Sequence, residues 1–277
     1  MGLRIATNIA SQSVQKNLKE VSNAGNAQLE KLSSGKRITK ASDDAAGLAI
    51  ATNLEAQTKG LRQATRNAND GISLVQTAEG GLNETSNILV RLRELTVQAA
   101  SDTVGEQERG FLDKEYQQLT KEVDRISEST TFNGAQLLNG KGKGTMDFQV
   151  GAFAGEQNKI TFDASSTDSS ASSIGISGTT ISEKSNALDA ISNVDEAITK
   201  VSGQRADLGS IQSRLGSTVK NLETQTINQD SARSVIQDVD VAEASASLAS
   251  NNVVKNAAVS TLAQANQIPM SALRLIG

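Results

Sequence analysis

The chain has 277 residues, with 27 Lys and Arg against 31 Asp and Glu, no His and no Cys. That length is enough for one large core or two smaller ones, while the missing imidazole and thiol remove the usual general base near neutral pH, the thiol nucleophile, the soft metal ligands and every disulfide. A net charge of −4 with the signs intermixed excludes a basic nucleic-acid footprint, and no stretch is apolar over a membrane-spanning length. Apolar volume comes mostly from Ala, Leu, Ile and Val, since Tyr116 and five Phe are the aromatics. Such volume suits helices packed along a seam. The single proline, Pro269, bars nothing upstream of it from helix.

In chain order, residues 1–10 contain no apolar run of a secretory signal, so neither Sec export nor membrane insertion is expected. Ala6 stands where a myristoylation motif after Met1-Gly2 needs Ser or Thr. Val14, Leu18, Val21, Gly25, Leu29 and Leu32 then form a weak amphipathic stripe. Ser13-Val14-Gln15-Lys16 and Ser33-Ser34-Gly35-Lys36 both spell S-x-x-K, but the companion motifs of penicillin-recognising enzymes are missing. Asp43-Asp44 precedes an Ala-rich stretch and reads as favourable charge at a helix N-terminus rather than as an acid–base pair or metal site. Ala78, Leu82, Thr85, Leu89, Leu92, Leu95 and Ala99 mark one helical stripe, and Leu112, Tyr116, Leu119, Val123 and Ile126 another. Thr103 and Glu106 spell a capping box that would open the second of these helices.

Past Gly140-Lys141-Gly142-Lys143-Gly144, which lacks the GK[ST] ending of a phosphate cradle, the period changes to two. Met146, Phe148 and Val150, then Ile160 and Phe162, alternate with polar residues and predict one β-hairpin. Eleven of the eighteen residues from 165 to 182 are Ser or Thr, which predicts an exposed, low-complexity tip. Thr180 and Glu183 spell a second capping box. A heptad repeat follows through Ile191, Val194, Ile198, Val201, Arg205, Leu208, Gln212, Leu215, Val219, Leu222 and Thr226. Asp238 and Asp240 precede a last stripe of Val241, Ala244, Leu248, Ala258, Leu262 and Ala265. The two terminal stripes are too poor in large residues to fold as isolated helices, so disorder is expected until partners cover them.

These spellings resemble bacterial flagellin over most of the chain outside the Ser-rich centre. The resemblance is carried by Leu32-Ser33-Ser34-Gly35-Lys36-Arg37-Ile38, by Ala41-Ser42-Asp43-Asp44-Ala45-Ala46-Gly47-Leu48-Ala49-Ile50, and by Asn69-Asp70-Gly71-Ile72-Ser73-Leu74 with Gln76-Thr77-Ala78-Glu79-Gly80. Arg93-Glu94-Leu95, Phe132-Asn133-Gly134, the run from Arg205 to Leu215, and Leu262-Ala263-Gln264-Ala265-Asn266 extend it.

The resemblance implies a mainly α fold: long antiparallel coiled-coil helices from both termini, a small β-hairpin, and no large outer domain. It implies an inner coiled-coil domain over 1–39 and 235–277, a connecting spoke over 40–54, and an outer-shell domain over 55–234. The hairpin falls near 145–163 and the Ser/Thr-rich tip at 165–182. The implied function is a structural, non-enzymatic subunit that polymerises into the flagellar filament for motility, with the hook–filament junction adaptor of the same family as the alternative. Assembly seams are expected at Val14, Leu18, Val21, Leu29, Leu32, Leu248, Leu262 and Ala265. Partners implied are other flagellin subunits, alone or mixed, the flagellar cap, junction proteins and an export chaperone, with no nucleic acid, membrane, metal or cofactor. Family members are exported unfolded and fold at the growing tip, which places the chain outside the cell. Arg91, Leu95 and Glu115 align with the contact for the flagellin-sensing Toll-like receptor.

Overall fold

A computed structural model of the chain describes the backbone of residues 7–142 and 144–276 and side chains up to residue 267. Among these, six α-helices and two small hairpins follow in order: α1 (Ile9–Ser34), α2 (Ala45–Ala99), α3 (Glu106–Ser129), β1 (Thr131–Phe132), β2 (Ala135–Gln136), β3 (Thr145–Gln149), β4 (Lys159–Asp163), α4 (Ala171–Ile174), α5 (Lys184–Gln237) and α6 (Val241–Ile276). The fold is the mainly helical one expected, with no large outer domain. The backbone forms two compact units, one of Met1–Ala56 with Asn228–Gly277 and the other of Gln57–Ile227. Helices α2 and α5 contribute residues to both.

The unit of Gln57–Ile227 holds the main core. From α2 the core takes Ala78, Leu82, Leu89, Leu92, Leu95 and Ala99; α3 supplies Tyr116 and Val123, and α5 supplies Val194, Val201, Leu208 and Leu215. Each helix hides the stripe that its 3.6-residue period places on one face, and each fully buried Leu or Val contributes about 1.5–3 kcal/mol. The α5 heptad carries on through Leu222, which packs with Leu61, Ala64 and Ala152 in a satellite cluster. At its interruptions, Arg205 and Gln212 stay half-buried.

The turn between β1 and β2 has Asn133 at φ 48° and Gly134 at φ 77°, the paired positive values of a type I′ hairpin. Strands β3 and β4 pair antiparallel with Met146 opposite Phe162 and Phe148 opposite Ile160, as the alternation predicts. This hairpin lies on α2, where the Asn67 side-chain amide donates to the Gln149 carbonyl at 3.0 Å. Gly71 sits under the Phe148 ring, and a Cβ there would come within 3.2 Å of it. A helical glycine here is what close approach of the hairpin requires.

Two local expectations are corrected. Residues 165–182 are not an exposed tip: Thr167, Ser169, Ala171, Ile174, Ile176 and Ile181 are all buried. The hydroxyl of Thr167 donates to the Leu137 carbonyl at 2.8 Å and the Ser169 amide to the Leu138 carbonyl at 2.8 Å. Asp124 of α3 accepts the Ala171 amide at 2.8 Å and Asp113 the Ile181 amide at 2.8 Å. Scattered isoleucines anchor the segment while its hydroxyls satisfy buried carbonyls, so a polar composition still packs.

Neither capping box forms. Helix α3 begins after Gly105 with no side-chain cap, because Thr103 belongs to the preceding turn, where the Ser101 hydroxyl accepts its amide at 3.3 Å. That turn is stapled by buried Arg109, which donates to the carbonyls of Ala99 at 2.8 Å and Ser101 at 2.9 Å and so closes the C-terminus of α2. At α5, Glu183 occupies the cap itself, its carbonyl accepting the Ala187 amide at 2.9 Å. The terminal segments are helices α1 and α6, which pack on each other.

Candidate assembly and recognition surfaces

Helices α1 and α6 run antiparallel within one unit and are joined at both ends by polar contacts. Asn8 caps α1, its carboxamide oxygen accepting the Ser11 amide at 3.0 Å. The same side chain donates to the Ala265 carbonyl of α6 at 2.9 Å, and the Ser11 hydroxyl donates to Asn266 at 2.8 Å. Midway, Gly25 faces Asn251. At the far end Gly35 turns the chain in the left-handed region at φ 69°, and its carbonyl accepts the Val239 amide at 3.1 Å while Arg37 donates its amide to Gln237 at 2.7 Å. Lys36 and Asp238 complete a β-bridge.

Between these clips the expected seam is only partly closed. Ala265 is buried, whereas Val14, Leu18, Val21, Leu32, Leu248 and Leu262 are half-buried and Leu29 is 52% exposed. Ile9, Val241, Val253, Val254 and Val259 are exposed as well. A two-helix pair has one mutual face, and small residues such as Gly25 narrow it further. Much apolar surface therefore remains facing outward, the condition that marks an interaction surface.

The turn leaving α1 is built around Asp43. Its carboxylate accepts the Thr39 amide at 3.0 Å, the Thr39 hydroxyl at 2.9 Å and the Lys40 amide at 3.1 Å. Those bonds, the Thr39 amide foremost, hold its carboxyl below the ordinary carboxylate value. Lys40 reaches back to Glu30 at 2.7 Å, and that hydrogen bond raises its ammonium above its ordinary value. Asp44 caps α2 by accepting the Gly47 amide at 2.8 Å, and Asp240 caps α6 by accepting the amides of Ala242 at 2.9 Å and Glu243 at 3.2 Å. The acidic pairs thus serve helix ends, and Asp43 acts as a turn hub that spacing alone does not reveal. Its signal was the Thr39 four residues upstream.

On the other unit, Arg91 and Glu115 face each other across α2 and α3 at 2.8 Å, and Arg91 also pairs with Glu94 at 2.9 Å. The Glu115 hydrogen bond, then that of Glu94, raises the guanidinium further above its ordinary value. Both partners of the pair are about half exposed. Leu95 lies in the core at 1% exposure, one turn from Arg91 but pointing inward. Of the aligned trio, then, the charged pair is at the surface and the leucine is buried. Arg93 with Asp195 at 2.7 Å and Lys184 with Asp102 at 2.6 Å add exposed bridges to α5, of little individual stability. No group of acidic residues able to hold a metal occurs among the described residues, and no described helix is long and apolar enough to cross a membrane.

Comparison with known proteins agrees with this geometry. The family model of the bacterial flagellin N-terminal helical region matches residues 5–143, and that of the C-terminal helical region matches residues 191–276. Between them lie β3, β4 and the Ser-rich segment. A flagellin of Halalkalibacterium halodurans is 43% identical over 97% of this chain and 98% of its own length. One from Bacillus subtilis is 39% identical over 99% and 100%. The B-type flagellin of Pseudomonas aeruginosa is 49% identical over 63% of this chain but only 35% of itself. Among solved structures, Bacillus cereus flagellin covers 61% of this chain and 94% of its own at 32% identity, with a TM-score of 0.51. A Vibrio parahaemolyticus protein described as a putative flagellar hook-associated protein has a TM-score of 0.58 over 70% of this chain and 99% of its own, but at 14% identity; that likeness is one of fold alone and gives the junction adaptor no support. The chain belongs to the bacterial flagellin family and is a structural subunit that polymerises into the extracellular flagellar filament.

Proposed function

We propose that the polymer is held at its centre by the unit of α1 and α6, with neighbouring copies covering the faces these helices leave bare. The observation that carries this is the exposure of Ile9, Leu29, Val253, Val254 and Val259 on two helices already paired with each other. Residues 1–39 and 235–277 are the inner domain on this reading, 40–54 the spoke, and 55–234 the surrounding shell. Val14, Leu18, Val21, Leu29, Leu32, Leu248, Leu262 and Ala265 are the seam. Contacts between copies are heterologous and do not close, so they propagate as a helical polymer. The chain performs no reaction.

Because the terminal helices bury so little on their own, their stability is coupled to assembly, which suits export in an unfolded state. An export chaperone, a cap and junction proteins are the accessory partners on this reading, and mixed filaments with other flagellins follow from shared seams. Removing residues 251–277 tests the mechanism. Electron microscopy after seeding should show no filaments, while circular dichroism should retain the helical signal of Gln57–Ile227. Filaments that persist without residues 251–277 overturn it.

A further inference from the structure

The sequence contains two Asn-Gly pairs, Asn133-Gly134 and Asn139-Gly140, and the fold treats them oppositely. Asn139 is 8% exposed. Its side-chain amide donates to Gln136 at 2.6 Å and its oxygen accepts the Lys141 amide at 3.1 Å, so both ends of the carboxamide are held. The carboxylate of Asp168 closes over Gly140, where a Cβ would meet it at 2.7 Å. Asn133 is exposed at the tip of the β1–β2 turn. No hydrogen bond to its side chain occurs among the described residues, and Gly134 has open space around it. Thr131 pairs with Gln136 and Phe132 with Ala135 on either side of that turn, and the Leu137 amide donates to the Thr130 carbonyl at 3.1 Å at its base; none of these bonds engages the Asn133 side chain.

We propose that Asn133 is a site of spontaneous deamidation in the folded protein, and that Asn139 is protected from the same reaction. The Gly134 amide nitrogen gives its proton to solvent hydroxide and attacks Cγ of Asn133. The Cγ–Nδ2 bond breaks, and the nitrogen leaves as ammonia after taking a proton from water. This gives a five-membered succinimide between residues 133 and 134. Glycine permits the closure because no Cβ crowds the attacking nitrogen. Water then adds to the ring. Opening of the Cγ–N bond yields aspartate, and opening of the bond from the backbone carbonyl carbon yields isoaspartate. In both cases one water is consumed and one ammonia released overall.

The in-turn backbone must rotate about Asn133 to bring nitrogen and Cγ together, and at an exposed tip with open space around Gly134 that rotation needs only local opening of a short two-stranded turn. At Asn139 the same rotation must first break two side-chain hydrogen bonds and displace Asp168. The product at 133 carries a new negative charge, and isoaspartate adds a methylene to the backbone of a two-residue turn whose dihedrals leave no room for one. Once the subunit is in an extracellular polymer, the change accumulates with the age of the filament.

The full chain, folded in buffer and unfolded in denaturant, is incubated side by side at mildly alkaline pH. Peptide mass spectrometry with fragment-ion mapping separates the two sites. In denaturant both pairs react at similar rates. In the folded chain Asn133 reacts within a few-fold of its unfolded rate, while Asn139 is slowed by roughly tenfold or more. Asn133→Gln abolishes the early mass gain and Asn139→Gln leaves it in place. Slowing of Asn133 by roughly tenfold or more on folding overturns the proposal whatever Asn139 does, as does equal reaction at the two sites.

Discussion

Leu95 and Arg91 are neighbours on one helix with opposite surroundings, and substitutions at the two should fail in different ways. Leu95→Ala leaves a cavity in the main core and should cost about 2–5 kcal/mol of stability, read as a lower unfolding midpoint of the unit Gln57–Ile227. Arg91→Ala and Glu115→Ala each remove an exposed charge whose solvent-screened pairing contributes little, so stability should hold. The family resemblance implies an innate-receptor contact at Arg91 and Glu115, and a Toll-like-receptor reporter assay with purified monomer tests it: activation should be lost in both charge variants at unchanged stability. Activation equal to that of the parent chain would remove Arg91 and Glu115 from the contact. Loss in Leu95→Ala alone would speak only of folding. Leu95 was legible as a core residue from its place in the Ala78–Ala99 stripe, whereas the Arg91–Glu115 pair depends on how α2 and α3 pack, which no local pattern gives.

At the scale of elements, the turn leaving α1 is held by bonds to the Asp43 carboxylate from Thr39 and Lys40, so it should respond to acid. The carboxyl of Asp43 lies below the ordinary 3.8 when folded. Its contribution is therefore complete above the unfolded value and lost as pH falls through the folded one. The difference in hydrogen-exchange protection of residues 36–44 between the parent chain and Asp43→Asn should be full near neutrality and shrink toward zero in acid. A gap that widens on acidification would show that another group supports the turn. The helices themselves were plain from periodicity: the Val194, Val201, Leu208, Leu215, Leu222 seam is buried as its spacing requires. The segment 165–182 was misread because composition reports average polarity. Ile174, Ile176 and Ile181 bury at spacings that match no regular element, so no period flags them. Both capping-box spellings failed for a related reason. A cap is defined by where the helix starts: Thr103 is taken up in the turn that Arg109 ties to the end of α2, and Glu183 itself stands at the cap of α5.

Across the whole molecule, the main core lies in Gln57–Ile227, while the paired termini rely on half-buried contacts. Native-state hydrogen exchange on the unpolymerised chain should accordingly find α1 and α6 opening at much lower free energy than the stretches of α2 and α5 within the core. Incorporation into filaments should slow exchange in the terminal helices far more than in the core. Uniform protection in the monomer would mean that the ends need no neighbours. The sequence by itself determined the helical class, the long seams, the hairpin and the family, because each is written in local periodicity or in contiguous motifs. Tertiary structure alone decided that the Ser-rich stretch packs and that one Asn-Gly pair is shielded while the other is bare. Those outcomes depend on contacts between residues far apart in the chain, where burial and hydrogen bonding outweigh what any local pattern encodes.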